Sequence, residues 1–273
     1  MDRYVVIGQP VAHSKSPEIH ARFAAQTGQQ LSYARVAAPL DGFARTVRDF
    51  MRDGGKGANV TVPFKLEALQ LATSASPRAR AAGAANTLMF DDDRIFADNT
   101  DGVGLVADIV RNAGVVLAGK NILLLGAGGA ARGVILPLLE QAPARIVVAN
   151  RTIARALELE QRFAAQGPIA ASDFASLHMP FDVIINATSA SLEQQTLPVP
   201  ATVFGAGTFC YDMMYGPQPT VFMQLASRHG VRARDGLGML VEQAAESFFL
   251  WRGVRPVTAP VLAELRAEFD AAA

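Results

Sequence analysis

The chain has 273 residues, and its 25 Lys plus Arg balance 25 Asp plus Glu, so the formal net charge is zero. Half of the residues are hydrophobic and 18% are charged. That is enough apolar material for a large core and excludes disorder as the main state. The length allows one large domain or two of moderate size. Charge balance argues against a general nucleic-acid binder. No apolar run approaches the ~20 residues needed to cross a bilayer. Met1-Asp2-Arg3-Tyr4 leads straight into Val5-Val6-Ile7, without a basic leader and cleavage site, and Cys210 stands alone. A reducing cytoplasm is the expected setting. Four scattered histidines and one cysteine give no metal-ligand pattern.

Short β-branched runs predict buried strands at 4–7, 58–62, 121–125, 145–149 and 183–186. Ala/Leu-rich runs predict helices at 17–27, 42–52, 102–113, 130–141 and 154–165, with two more at 239–251 and 259–271. Strands alternating with helices predict α/β architecture, with a parallel sheet covered on both faces. The turn at Ala118-Gly119-Lys120 marks a boundary, and a nucleotide-binding pattern follows it to about Gly236.

Three polar segments lie in the N-terminal half. In the first, Ser14 and Ser16 precede a helix that Pro17 opens. Ser16 reads as its N-cap, and the pair also makes a carboxylate cradle. In the second, Asn59 and Thr61 alternate with valines, so on a strand they share a face, and Lys65 follows the strand end. The third is Asn86-Thr87 followed by Asn99-Thr100-Asp101-Gly102. Each alone has an ordinary reading: a cap for Asp101, a solvated lysine for Lys65. Together they offer an amine, a carboxylate, hydroxyls and amides, the inventory for holding a small polyhydroxy acid and moving a proton.

The strand at 121–125 runs into Gly126-Ala127-Gly128-Gly129-Ala130, and a helix follows. Gly126 permits the tight turn, Gly128 lets backbone approach a pyrophosphate, and the helix N-terminus offers free N–H groups. The next strand ends in Asn150-Arg151-Thr152, with Arg155 one turn on. An NAD site keeps an acid there for the ribose hydroxyls. A guanidinium instead pairs with a 2′-phosphate, so the expected cofactor is NADP.

The segments Ser14-Lys-Ser16, Asn59-Val-Thr61-Val-Pro-Phe-Lys65, Gly83-Ala-Ala-Asn86-Thr87, Asn99-Thr-Asp101-Gly102, Gly126-Ala-Gly-Gly-Ala130, Asn150-Arg-Thr152, Asn186-Ala-Thr188-Ser189, Tyr211-Asp-Met213-Met-Tyr215 and Asp235-Gly-Leu-Gly-Met-Leu-Val-Glu-Gln243 run nearly end to end. In order and spacing they resemble the shikimate dehydrogenase family. The resemblance implies an N-terminal α/β substrate domain (1–101, with 239–273 packing back onto it) and a Rossmann-type doubly wound NADP domain (102–238), with the active site in the cleft between them. It implies NADP-dependent reversible reduction of 3-dehydroshikimate to shikimate, in the supply of aromatic amino acid precursors. Lys65 would handle the proton with Asp101 orienting it. Ser14 and Ser16 would bind the carboxylate, and Asn59, Thr61, Asn86, Tyr215 and Gln243 would surround the ring. Thr188, Ser189, Met213 and Gly236 would join the glycine turn and Asn150, Arg151, Thr152 and Arg155 around the cofactor. The expected partners are small molecules, with no nucleic acid or membrane, in a monomer or homodimer. A quinate/shikimate enzyme of the same family and an inactive cofactor-binding regulator remain open, although Arg151 argues against NAD and intact Lys65 and Asp101 against lost turnover. The chain departs from the family pattern at 73–77, which lacks an acid, at Ala190-Ser191 in place of a glycine, and at Ala85.

Overall fold

A computed structural model describes residues 1–188, 190 and 196–271. They form two compact units: Met1–Gly104 with Val241–Ala263, and Leu105–Leu240 with the chain from Glu264 onward. The C-terminal segment is thus shared, where the sequence-based expectation gave all of 239–273 to the first unit.

The first unit runs β1 (Asp2–Gly8), α1 (Ser16–Thr27), β2 (Leu31–Ala37), α2 (Phe43–Arg52), β3 (Gly55–Val60), α3 (Lys65–Leu71), β4 (Ser74–Ala75), α4 (Pro77–Ala82), β5 (Thr87–Asp91), β6 (Arg94–Asp98) and the start of α5 (Asp101–Ala107). Its sheet has the order β2-β1-β3-β5-β6-β4. β1 pairs in parallel with both β2 and β3, but β5 is antiparallel to β3 and β6. The sheet is therefore mixed rather than wholly parallel. The chain reverses direction of travel across the sheet at β1, so a topological switch point lies between β1 and β3, the kind of place where open α/β sheets take ligands. Val5, Ile7, Ala58, Val60, Phe43, Val47 and Leu88 form the core under α2 and α3.

The second unit contains β7 (Asn121–Leu125), α6 (Gly129–Leu139), β8 (Arg145–Ala149), α7 (Ile153–Phe163), β9 (Ile169–Ser172), β10 (Phe181–Asn186), β11 (Phe204–Asp212), α8 (Val221–Arg228) and β12 (Arg232–Arg234). Its sheet, β12-β11-β10-β7-β8-β9, is parallel throughout. That is the doubly wound dinucleotide-binding order, with its switch point between β7 and β10. α9 (Leu237–Arg252) and α10 (Thr258–Ala271) close the chain. The helix expected over 102–113 is α5 followed by one wider, π-type turn at Asp108–Asn112. That turn directs Asp108 inward, where it accepts bonds from Tyr211 Oη (2.7 Å) and the Arg234 guanidinium (2.9 and 2.7 Å).

His20 of α1 is fully buried, flat against Tyr33 with ring centroids 4.3 Å apart and planes 6° apart. Phe23, Phe248 and Trp251 surround it. Neither ring nitrogen has a partner in hydrogen-bonding geometry, although Asn59 stands nearby. Burial pushes its pKa down from 6.5 to about 3. Unfolded, the imidazole titrates near its ordinary value, so between these limits the native state binds fewer protons and stability falls as pH falls. Between pH 7 and 5 this residue alone costs about 2 kcal/mol, at ~1.36 kcal/mol per pH unit below the unfolded pKa. Urea unfolding of wild type and His20→Phe is expected to diverge by that amount over this window. Equal losses in the two proteins would show that His20 titrates normally.

Candidate active site

In the first unit the switch point lies between the loop after β1 and the turn after β3. The two are tied together: Thr61 N donates to Ile7 O (2.9 Å) and Gln9 N to Val62 O (3.0 Å). β3 ends at Val60. Strand alternation therefore reaches Asn59 but not Thr61, which sits in the turn that leads to Lys65 at the start of α3.

Lys65 Nζ donates to Asp101 Oδ2 at 2.6 Å. The two side chains are 31% and 15% exposed, so the pair is sheltered yet reachable. Asp101 Oδ1 accepts from Asn86 Nδ2 at 2.8 Å. Asn86 precedes β5 and Asp101 follows β6, and the antiparallel β5–β6 hairpin is what brings them together. Asn86 Oδ1 accepts from the Thr100 backbone N–H (2.8 Å), and Asn86 Nδ2 also reaches Gln243 Oε1 of α9 (3.1 Å). Asp101 therefore does not act as a helix cap; both of its oxygens serve side chains of the site.

Ser14 and Ser16 lie side by side, with Ser14 Oγ donating to Ser16 Oγ at 3.1 Å. Ser16 is the first residue of α1 rather than its cap; Lys15 holds that position and no side chain caps the helix. Ser14 instead accepts the Ser16 backbone N–H (3.3 Å). Arg35 holds this loop from outside, donating to Ser14 O through Nε (2.8 Å) and Nη2 (2.6 Å) while pairing with Glu18. Asn59 is 5% exposed, and its amide faces inward to Asn86 O, Thr87 Oγ1 and Ser247 Oγ. Tyr33, Arg35 and Ser247 lie outside the sequence motifs. Their one signal is that they are polar residues on elements that cover a core.

Tyr215 belongs to the second unit. There it packs on Phe269, and burial raises its hydroxyl above the usual range, with the Asp235 charge adding to the effect.

The second unit has a cavity of about 330 Å³ at its own switch point, lined by Gly126, Ala127 and Gly128 after β7, Ala187 and Thr188 after β10, and Asn150 and Arg151 after β8. Gly126 has φ +103, and a Cβ there would sit 3.0 Å from the Thr188 methyl, so both conformation and space require glycine. Asn150 Nδ2 holds Thr152 O at 2.9 Å, and Thr152 stands at the N-cap of α7 without a side-chain cap bond. Arg151, which lines the cavity, and Arg155, in the first turn of α7, are both exposed. Gly129 and Ala130 open α6. Met213 N donates to Asn186 O (3.0 Å), and a side chain at Gly236 would land on the Met213 carbonyl, so these two positions form one tight edge. Ser189 lies outside the described residues. Phe174, Leu197 and Pro198 also line the cavity and lay outside the motifs.

Buried Asn186 and Asp212 organise this edge. Asn186 Nδ2 donates to Asp212 Oδ1 (3.0 Å), Asn186 Oδ1 takes Thr188 N (3.0 Å) and Oγ1 (2.7 Å), and Asp212 Oδ1 takes Met214 N (3.1 Å). The residues present fit a phosphorylated dinucleotide. Glycine backbone faces open space, a helix N-terminus follows, and cationic rather than acidic groups stand where the ribose 2′ position is read. No group of His, Cys, Asp or Glu suited to hold a metal occurs among the described residues.

A doubly wound sheet with this turn, in one chain with a unit carrying a lysine–carboxylate pair, defines a dinucleotide-dependent dehydrogenase. Family models match in chain order: the shikimate dehydrogenase substrate binding domain over residues 6–88, shikimate / quinate 5-dehydrogenase over 108–195 and the shikimate 5′-dehydrogenase C-terminal domain over 236–266. A shikimate dehydrogenase (NADP(+)) from Herminiimonas arsenicoxydans is 66% identical over 267 residues, 98% of each chain. Among solved structures, an Ael1 enzyme from Pseudomonas putida is 48% identical with TM-score 0.94, covering 97% of this chain and 98% of that one. A shikimate 5-dehydrogenase from Thermus thermophilus, in complex with NADP(H) and shikimate, is 33% identical with TM-score 0.88, covering 98% of this chain and 100% of that one. The chain belongs to the shikimate dehydrogenase family.

The backbone at Gly128 (φ −85, ψ −169) is open to any residue, and nothing lies within 4 Å of where its Cβ would stand. Gly128→Val is therefore expected to leave the melting temperature in place while filling the cavity floor. NADP affinity should fall about tenfold or more, equivalent to ~1.4 kcal/mol. Unchanged NADP affinity would place the dinucleotide elsewhere.

Proposed function

We propose that the chain catalyses the reversible, NADP-dependent reduction of 3-dehydroshikimate to shikimate. The observation that carries this reading is the Lys65–Asp101 pair, 2.6 Å apart and set among the amides of Asn86 and Gln243. NADP supplies the hydride chemistry when bound; the protein supplies position and proton management.

In reduction the C3 oxygen of the substrate gains negative charge. Lys65, an ammonium beside a carboxylate, stabilises that charge and gives up a proton from Nζ to the oxygen. In oxidation the same nitrogen takes the proton back. Asp101 positions Nζ through Oδ2, while Asn86 holds the carboxylate's other oxygen and stops it rotating. Thr61 lines the turn, tied to β1, that leads to Lys65. Ser14 and Ser16 offer hydroxyls to the substrate carboxylate, and Asn86 and Gln243 read ring hydroxyls. Asn59, enclosed behind Asn86, donates to the Asn86 backbone carbonyl and holds that residue from below. Tyr215, its hydroxyl kept protonated, is assigned as a donor to the substrate. Arg151, assisted by Arg155, pairs with the 2′-phosphate. Thr152, Thr188, Ser189, Met213 and Gly236 complete the cofactor contacts.

No helix among the described residues is long and apolar enough to cross a membrane. Cys210 is buried, and burial pushes its thiol up to about 12, so it is inert as a nucleophile. A lone structural thiol suits a reducing compartment, and we assign the enzyme to the cytoplasm, as a monomer or homodimer.

Lys65→Ala is expected to lower kcat by about 10²–10⁴-fold, the contribution of a general acid–base group, with a much smaller change in shikimate KM. Retention of more than about half of wild-type kcat would remove Lys65 from this role. Arg151→Ala is expected to raise KM for NADP about ten- to hundredfold, the scale of a lost charged hydrogen bond of roughly 1.5–3 kcal/mol, and to leave the weak KM for NAD in place. Equal weakening toward both cofactors would mean that Arg151 supports the fold or the pyrophosphate instead.

A further inference from the structure

Asp108 begins the wide, π-type turn that follows α5, and it is wholly buried. Its carboxylate is fully engaged. Oδ1 accepts from Arg234 Nη2 (2.7 Å) and Asn112 Nδ2 (2.9 Å), and Oδ2 accepts from Arg234 Nε (2.9 Å) and Tyr211 Oη (2.7 Å). The guanidinium contact is two-pronged, so it fixes direction as well as distance. Burial, with the Asp108 charge beside it, keeps the Tyr211 hydroxyl protonated and able to donate. Single π-type turns are rare and frequent at functional sites, yet the proton chemistry at Lys65 makes no use of this one.

What Asp108 holds is a pair of strand ends. Tyr211 and Arg234 are register partners in the parallel pairing of β11 with β12. Two residues beyond them stand Met213 and Gly236, the tight edge described above, where Gly236 N also donates to Met214 O (3.0 Å). The first turn of α9 joins the same cluster. A Cβ at Gly238 would overlap the Asp108 carboxylate, so glycine is what lets the helix start this close. β12 is a three-residue strand at the edge of its sheet, with one strand neighbour, so its pairing alone gives it little hold. The buried carboxylate supplies an anchor from a third element.

The order β12-β11-β10-β7-β8 puts this edge on the other side of the glycine turn from Arg151. A dinucleotide lies across the carboxyl ends of such strands. With the 2′-phosphate at Arg151 after β8 and the pyrophosphate at the turn after β7, the remaining half of the cofactor comes to the ends of β10, β11 and β12. We propose that Asp108 is a positioning residue for the nicotinamide half of NADP, setting the Met213–Gly236 edge against which that half lies. This inference rests on the placement of Met213 and Gly236 at the cofactor under the proposed function. Asp108 touches neither cofactor nor substrate; it acts through Tyr211, Arg234 and the start of α9. Hydride transfer requires the donor and acceptor carbons in near-attack contact, and a misplacement of ~1 Å can cost about 10²-fold in rate.

The test is Asp108→Asn in the full-length enzyme, which keeps the side-chain shape and removes the charge that holds Arg234. At saturating NADP and shikimate, kcat should fall about tenfold or more. The second readout is calorimetric titration with adenosine 2′,5′-bisphosphate, which carries the adenine and 2′-phosphate but no nicotinamide. Its Kd should stay within about twofold of the wild-type value, because Arg151 and the β8 end are untouched. A kcat within about twofold of wild type would overturn the role. So would bisphosphate binding weakened as much as kcat, which marks a loss of structure through the whole unit. If Asp108→Asn does not fold, Tyr211→Phe removes one contact and keeps the ring. There kcat is expected to fall about threefold or more with bisphosphate Kd in place, and an unchanged kcat would overturn the role. Wild-type turnover separates the two claims. Failure of wild type to oxidise shikimate with NADP contradicts the proposed function, whereas wild-type turnover with an unaffected Asp108→Asn contradicts only the Asp108 role.

Discussion

Asp101 divides its two carboxylate oxygens between two partners, Lys65 through Oδ2 and Asn86 through Oδ1. A carboxylate held at one oxygen can swing; held at both it becomes a fixed plane, and the lysine nitrogen inherits that plane. The remaining polar groups of the first unit organise around this point. Asn86 is itself pinned by Thr100 and Gln243, and behind it Asn59, Thr87 and Ser247 form a buried hydroxyl and amide layer. Buried polar groups are costly unless satisfied, and a network in which each member has a partner is correspondingly rigid. An enzyme that moves one proton to one oxygen benefits from that rigidity, because misplacement of the donor lowers the rate directly.

The second unit solves a different problem with the same economy of means. Its sheet reverses direction between β7 and β10, and that reversal opens the space for a ligand before any side chain is chosen. Glycines keep the floor clear, Asn186 and Asp212 lock the neighbouring strand ends, and Arg151 after β8 brings a positive charge to the cavity lining. Each unit has its chemistry at the carboxyl ends of strands beside a switch point, with buried amide–carboxylate contacts behind it.

Much of this was legible in the residues. The strands at 121–125 and 145–149 coincide with β7 and β8, because continuous apolar β-branched runs buried on both faces leave few alternatives. The glycine turn and Asn150-Arg151 carry their meaning in local sequence. What stayed hidden was long-range or half-exposed. β2 reads Leu-Ser-Tyr-Ala-Arg-Val-Ala with little continuous apolar character, since it is an edge strand, and with it Tyr33 and Arg35 escaped notice. The β5–β6 hairpin, turning at Asp92 with φ +49, made the first sheet mixed and brought Asn86 to Asp101. Ser16 looked like a cap because Pro17 follows it, yet the helix begins at Ser16 itself and its hydroxyl accepts from Ser14 Oγ.

The most direct test of the account is the initial rate of cofactor reduction by the purified wild-type chain with shikimate, measured with NADP and with NAD. The account predicts shikimate-dependent reduction of NADP, with kcat/KM for NADP about tenfold or more above that for NAD, the difference one guanidinium–phosphate contact provides. No shikimate-dependent reduction of either cofactor, or a preference for NAD, would contradict it.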